Sequence, residues 1–176
     1  MATRTRVPVG SATYNEVVEF LYDEAALLDN QQLEEWGALM AEDLAYTAPL
    51  RISRSDADTG GKTVVITKHF DDDYLSMMSR LGRLKTPSAW TEDPPSRSRR
   101  LVTNILVWQT QRADELEVRS NLLLTRCRYE NYEYQLLTAA RTDVLRRVPA
   151  GSFKIARREV IVDQSSMGVP NLSVFL

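Results

Sequence analysis

His69 is the single histidine of the 176 residues, and as a lone imidazole it is the first candidate for acid–base chemistry near neutral pH. It stands between an apolar run and a helical pattern, a position where an unpaired histidine more often caps or packs. Asp71, Asp72 and Asp73 could offer hard oxygen ligands to Mg²⁺ or Ca²⁺. Consecutive helical residues point in different directions, however, and a negatively charged helix start accounts for all three. The run Gly60-Gly61-Lys62-Thr63 has the ending of a phosphate-binding loop. That motif needs a glycine where this chain has Asp56, and a helix where a strand follows, so it is rejected. Cys127 has no second cysteine to pair with, which excludes an intrachain disulfide and leaves it as a small apolar residue.

The arginines form the other candidate. Trp90, Glu92, Asp93 and the stiff Pro94-Pro95 pair lead into Arg97, Arg99 and Arg100. A nucleic-acid patch, an anion clamp and a protein–protein junction would all use such residues. Lys and Arg total 22 against 24 Asp and Glu, so the basic surplus that phosphate neutralisation requires is missing. Further along come Arg126, Arg128, Arg141, Arg146, Arg147, Arg157 and Arg158, with Glu117, Glu133, Asp143 and Glu159 as available partners. The plain reading is a solvated salt-bridge lattice, worth little per pair. The sharper one is a contact surface, for which Arg and Trp are favoured, and the prolines would present it at little entropic cost.

These residues need elements to position them. Residues 1–12 are expected to form a flexible arm, and 13–176 a single domain. Tyr14, Val17, Val18, Leu21, Ala25 and Leu28 have helical spacing, with Thr13 and Glu16 as a capping box. A second helix is expected over Gln31 to Met40, with Leu33 and Trp36 buried, and a short strand from Leu44 to Pro49. A polar loop at 53–62, a strand at 63–67 and a helix from Asp71 to Leu84 follow, the last burying Tyr74, Met77, Met78, Leu81 and Leu84. Strands at about 99–110, 116–125, 132–147 and 153–162 form a meander. Helices first and strands later predict an α+β fold, the helices packed on one face of a long, curved, mostly antiparallel sheet.

Four ordered pieces, EFLYDEAALLDNQQLEEWGALMAEDLAYTAPLR (19–51), RLGRLKTPSAW (80–90), TEDPPSRSRRLVTN (91–104) and EVIVDQSSMGVPNLSVFL (159–176), resemble the small (β) subunit of bacterial aromatic-ring-hydroxylating dioxygenases. The resemblance runs from about residue 14 onward, and the tail departs from it in the linker SSMGVP. It implies a cystatin-like (NTF2-like) cone, the fold of nuclear transport factor 2 and of some small isomerases and dehydratases. It also implies a non-catalytic structural subunit of a terminal oxygenase, typically three α with three β subunits. In such a heterohexamer the α subunit carries a Rieske [2Fe–2S] centre and a mononuclear Fe(II). With ferredoxin and reductase, such systems insert both atoms of O₂ into an aromatic ring at the expense of NADH.

Ligand arithmetic agrees with that division. A Rieske centre takes two cysteines and two histidines, and a non-haem iron normally two histidines and a carboxylate. One cysteine and one histidine supply neither, so no catalytic, cofactor-binding or metal residue is assigned. The expected subunit contacts are Trp90, Glu92, Asp93, Arg97, Arg99, Arg100, Asn171, Leu172 and Phe175. No nucleic acid and no membrane partner is expected, and the compartment is expected to be cytoplasmic, since no apolar run could span a bilayer. The rival is a stand-alone isomerase or dehydratase using His69, with Tyr22 or Asp43, inside the cone. A ligand-binding module with a blind pocket is the third reading.

Overall fold

The computed structural model describes residues 5–52, 64–84, 96–127, 134–149, 151–164 and 174–176. Among the described residues, three helices, α1 (Ala12–Asp29), α2 (Leu33–Gly37) and α3 (Tyr74–Leu84), accompany six strands. These are β1 (Met40–Ile52), β2 (Val64–Asp73), β3 (Arg97–Gln109), β4 (Glu115–Cys127), β5 (Gln135–Arg147) and β6 (Phe153–Val162). They form one curved sheet in the order β2-β1-β6-β5-β4-β3. The last four strands are the expected antiparallel meander, while β1 runs parallel to β6 and antiparallel to β2. The α+β expectation holds.

Helix α1 starts earlier than its apolar spacing suggests. Ser11, not Thr13, is the N-cap: its hydroxyl accepts from the Tyr14 N–H at 3.3 Å and donates to the Pro8 carbonyl at 2.8 Å. The helix ends in a Schellman turn. Gln31 N–H donates to Leu28 and Gln32 N–H to Leu27, with Gln31 in the left-handed region at φ 60°. A non-glycine residue is costly there. The Gln31 side-chain amide offsets this by reaching the Ser96 carbonyl at 3.3 Å. The turn explains why α2 begins at Leu33 rather than Gln31.

Two strands run longer than expected. Pro49 does not close β1, because a bulge lets the sheet pass it: Ala48 pairs with Phe70, Pro49 with Lys68, and His69 falls between. The bulge spares the proline its missing N–H in an interior strand. β2 likewise continues through Asp71–Asp73, so these aspartates end a strand rather than open a helix. Asp73 then caps α3, accepting from the Ser76 N–H at 2.8 Å, which holds its carboxyl below the usual range. Residues 5–7 are also no loose arm, because Val7 and Thr5 hydrogen-bond to Val107 and Gln109 along the free edge of β3.

The core lies between the helices and one sheet face. Val17, Leu21, Trp36, Met77, Val107, Val118, Leu122, Leu145, Ile155 and Val160 are buried there. Alternation along β5 turns Leu137, Ala139 and Leu145 inward and Leu136, Thr138 and Ala140 outward. Leu145 is 0% and Leu136 55% exposed. Leu145→Ala is therefore expected to cost about 2–5 kcal/mol and Leu136→Ala no more than about 0.5, read by denaturant unfolding. Equal costs would place β5 in the wrong register.

Candidate functional site

The arginine junction divides by strand alternation. Arg97 and Arg99 point outward at the start of β3, the Arg99 side chain 74% exposed. Arg100 turns inward. Its Nη1 meets Asp29 Oδ1 at 2.7 Å, its backbone N–H donates to Asp29 Oδ2 at 3.0 Å, and its Nε and Nη2 donate to the Phe175 carbonyl at 3.3 and 2.8 Å. Burial lowers the pKa of this guanidinium, opposed by Asp29. Four residues earlier on the same face, buried Ser96 accepts from Arg126 Nε at 2.9 Å. The end of α1 is thus pinned to the start of β3.

Deeper in the cone lies a cluster of charges. Arg158 of β6 donates to Asp143 of β5 at 2.7 and 3.0 Å, and to both carboxylate oxygens of Glu24 on α1, the Nη2 contact at 3.0 Å. Trp36 Nε1 donates to Glu24 at 3.1 Å, and Arg141 Nη1 lies 3.5 Å from the same carboxylate. Arg141 Nε reaches Ser120 Oγ at 3.4 Å, while its Nη2 has no hydrogen-bond partner among the described residues and sits 3.8 Å from Asp143. Two guanidiniums face two carboxylates, so the cluster is neutral as a whole. Burial alone would raise the pKa of Glu24, but Arg158 and Arg141 overcome it and hold it at about 2. Burial would likewise lower the Arg158 pKa, but Asp143 and Glu24 hold it well above the usual value.

Residues 174–176 are docked onto this cluster. The Tyr46 hydroxyl donates to the Leu176 carbonyl and accepts from its N–H at 3.1 Å, and Arg158 Nη1 reaches the same carbonyl at 3.3 Å. Burial pushes the Tyr46 phenol up. The Phe175 ring lies 4.6 Å from that of Trp36 and 5.0 Å from the Arg80 guanidinium.

The expected contact residues therefore fall into three sets. Arg97 and Arg99 are exposed, whereas Arg100 and Phe175 are buried within the chain itself. Trp90, Glu92, Asp93, Asn171 and Leu172 lie outside the described residues. The salt-bridge lattice is only partly solvated, since Arg141, Asp143 and Arg158 are all buried. Parity could have found them: Leu137, Ala139, Arg141, Asp143 and Leu145 form one inward row, and Glu24 lies on the stripe of Leu21 and Leu28.

The rival's acid–base set is not brought together. Tyr22 is 55% exposed and His69 sits in the β2 bulge. Asp43 faces a groove of about 1160 Å³ on the other sheet face, beside Glu117, Arg119 and Arg157. There Arg146 grips both its oxygens at 2.8 and 2.9 Å and lowers its pKa, which makes it a poor base.

Over residues 23–168 the chain matches the family described as ring hydroxylating beta subunit. It belongs to that family. It is 35% identical over 178 residues to benzene 1,2-dioxygenase subunit beta of Pseudomonas putida, spanning 98% of this chain and 93% of that one. A solved structure of naphthalene 1,2-dioxygenase with indole bound in the active site aligns at TM-score 0.84 and 26% identity, over 92% of this chain and 84% of that chain. A putative scytalone dehydratase from Novosphingobium aromaticivorans, at TM-score 0.62 and 16% identity over 90% of this chain and 89% of that chain, shares the fold. The cystatin-like cone implied by the sequence is thus the fold observed.

In this ring-hydroxylating beta subunit the donors do not fit an iron centre. The one cysteine, Cys127, is on β4 and the one histidine, His69, on β2. Four strand spacings of about 4.8 Å separate them, roughly 19 Å along the sheet. Among the described residues no three His, Cys, Asp or Glu side chains are grouped to hold a metal ion. No described helix is long and apolar enough to cross a membrane.

Because the Glu24 pKa is depressed from 4.5 to about 2, its stabilisation is fully present above pH 4.5 and is lost as pH falls through about 2. Glu24→Gln leaves two buried guanidiniums with one carboxylate and is expected to cost about 3–5 kcal/mol at pH 7. It should also flatten the acid limb of stability against pH, measured by urea unfolding between pH 7 and pH 2. An unchanged acid limb would remove Glu24 from the linkage.

Proposed function

We propose that this beta subunit is the non-catalytic, structural partner of a large α oxygenase subunit, in an α₃β₃ terminal oxygenase that dihydroxylates an aromatic compound. The observation that carries the reading is the donor shortage: a family tied to oxygen chemistry, in a chain with one imidazole and one thiol on distant strands. The Rieske cluster and the mononuclear iron belong, on this reading, to the α subunit, and electrons from NADH arrive through separate ferredoxin and reductase proteins. The beta subunit contributes a rigid surface that stabilises the assembly by mass action. The substrate is an aromatic ring, as the names of the family's relatives indicate.

The contact surface in this proposal centres on the exposed Arg97 and Arg99, together with Trp90, Glu92, Asp93, Asn171 and Leu172. Leu101, 49% exposed, continues the outward row of Arg97 and Arg99 along β3. Arg100 and Phe175 support this surface from beneath.

Co-produced with its α subunit, the chain is expected to elute as a hexamer, and Arg97→Ala with Arg99→Ala to weaken that species by about tenfold or more, a loss of the size seen for interface hot spots. The thermal midpoint of the beta subunit alone should stay within a few degrees, because both side chains are exposed. A hexamer of unchanged strength by size-exclusion chromatography with light scattering would move the interface elsewhere. Iron–sulfur absorbance in the beta subunit purified by itself would overturn the division of labour.

A further inference from the structure

Val174, Phe175 and Leu176 are held in a way that simple apolar packing does not require. Each is no more than 8% exposed, yet two of their carbonyls meet dedicated buried donors. The Phe175 carbonyl takes Arg100 Nε and Nη2, and the Leu176 carbonyl takes Arg158 Nη1 and the Tyr46 hydroxyl. The Leu176 N–H returns a bond to Tyr46 at 3.1 Å. Trp36 and the Arg80 guanidinium bracket the Phe175 ring.

These groups come from five separate elements: Arg100 from β3, Arg158 from β6, Tyr46 from β1, Trp36 from α2 and Arg80 from α3. Arg100, Arg158, Tyr46 and Trp36 are buried; Arg158 is fixed by Asp143 and Glu24, Arg100 by Asp29 and Trp36 by Glu24, while the Tyr46 ring stacks on Phe70 at 5.2 Å. Emptied of these three residues, the interior would leave guanidinium and phenol donors short of acceptors, which is costly in a buried setting. The interior is therefore complementary to two consecutive backbone carbonyls, an aromatic side chain and an aliphatic one after it.

We propose that the interior of the cone is a peptide-binding site, selective for an aromatic–aliphatic sequence, and that residues 174–176 are its ligand in cis. The inference stands apart from the oxygenase reading, since its readout is peptide binding and needs neither a partner nor turnover.

The test uses the 176-residue chain carrying Phe175→Gly and Leu176→Gly, with a fluorescently labelled peptide Ser-Val-Phe-Leu followed by anisotropy. Saturable binding to the variant is expected, and at least about tenfold weaker apparent binding to the unaltered chain, whose tethered segment competes at an effective concentration of order millimolar. A peptide with alanine in place of its phenylalanine should fail to bind. A folded variant, verified by circular dichroism, that ignores the peptide would overturn the proposal, as would equal binding by the unaltered chain or equal binding of the alanine peptide. Should the double variant not fold, Tyr46→Phe keeps the ring and deletes only the hydroxyl. Hydrogen exchange at the Leu176 amide is then expected to quicken by about tenfold or more while the amides of β4 and β5 hold their rates. An unchanged Leu176 rate in that variant would overturn the proposal equally.

Discussion

The buried pairing of Arg158 with Glu24 and Asp143 is the constraint on which the rest of the structure depends. It joins α1, β5 and β6 at one point inside the cone and orients the surfaces that receive Trp36 and Leu176. An ion cluster taken out of water is a poor source of net stability, because desolvation consumes much of the Coulombic gain. Its consequence is specificity. A one-residue slip of β6 against β5 would turn Arg158 to the outer face and leave Asp143 and Glu24 buried without it, so a single register is tolerated. Apolar residues around the cluster supply the bulk of the driving force, and the cluster decides which packing they adopt.

That constraint bears directly on function. Titratable groups buried inside a cone are where acid–base chemistry would be sought. Here the carboxylate nearest the interior, Glu24, is saturated by Arg158, Arg141 and Trp36, and the Tyr46 hydroxyl is engaged with Leu176. Groups so fully committed to structure have no proton to exchange with a visitor. The interior is spent on architecture.

Much of this was legible in the sequence. Period-two alternation located the four meander strands to within a few residues, and helical spacing found α1 and α3, because each exposes one face and buries the other over more than ten residues. Local exceptions were harder. Pro49 read as a strand end, since a lone proline normally is one; the bulge that admits it depends on β2, which is distant in sequence. Ser11 was displaced as a cap by the better-looking Thr13 with Glu16, and residues 5–7 read as loose because their partner strand begins some ninety residues later. The arginines were recognised as a group, but not sorted. Arg97, Arg99 and Arg100 are chemically alike, and only the pleat of β3 leaves two exposed and buries the third against Asp29.

What the sequence by itself determined was the order and kind of elements, the family, and the shortage of iron ligands, all of which are local patterns or counts. What only the tertiary structure decided was where each charge goes. Glu24, Asp143, Arg158 and Leu176 are far apart along the chain, and each alone is an ordinary residue for its position. Asp143 and Arg158 meet as partners across the β5–β6 pair, but Glu24 reaches them only because α1 packs over that point and Leu176 only because Tyr46 of β1 receives it, and no local propensity encodes either. Burial then turns that proximity into consequence, because charges brought together out of water must either be paired or be paid for.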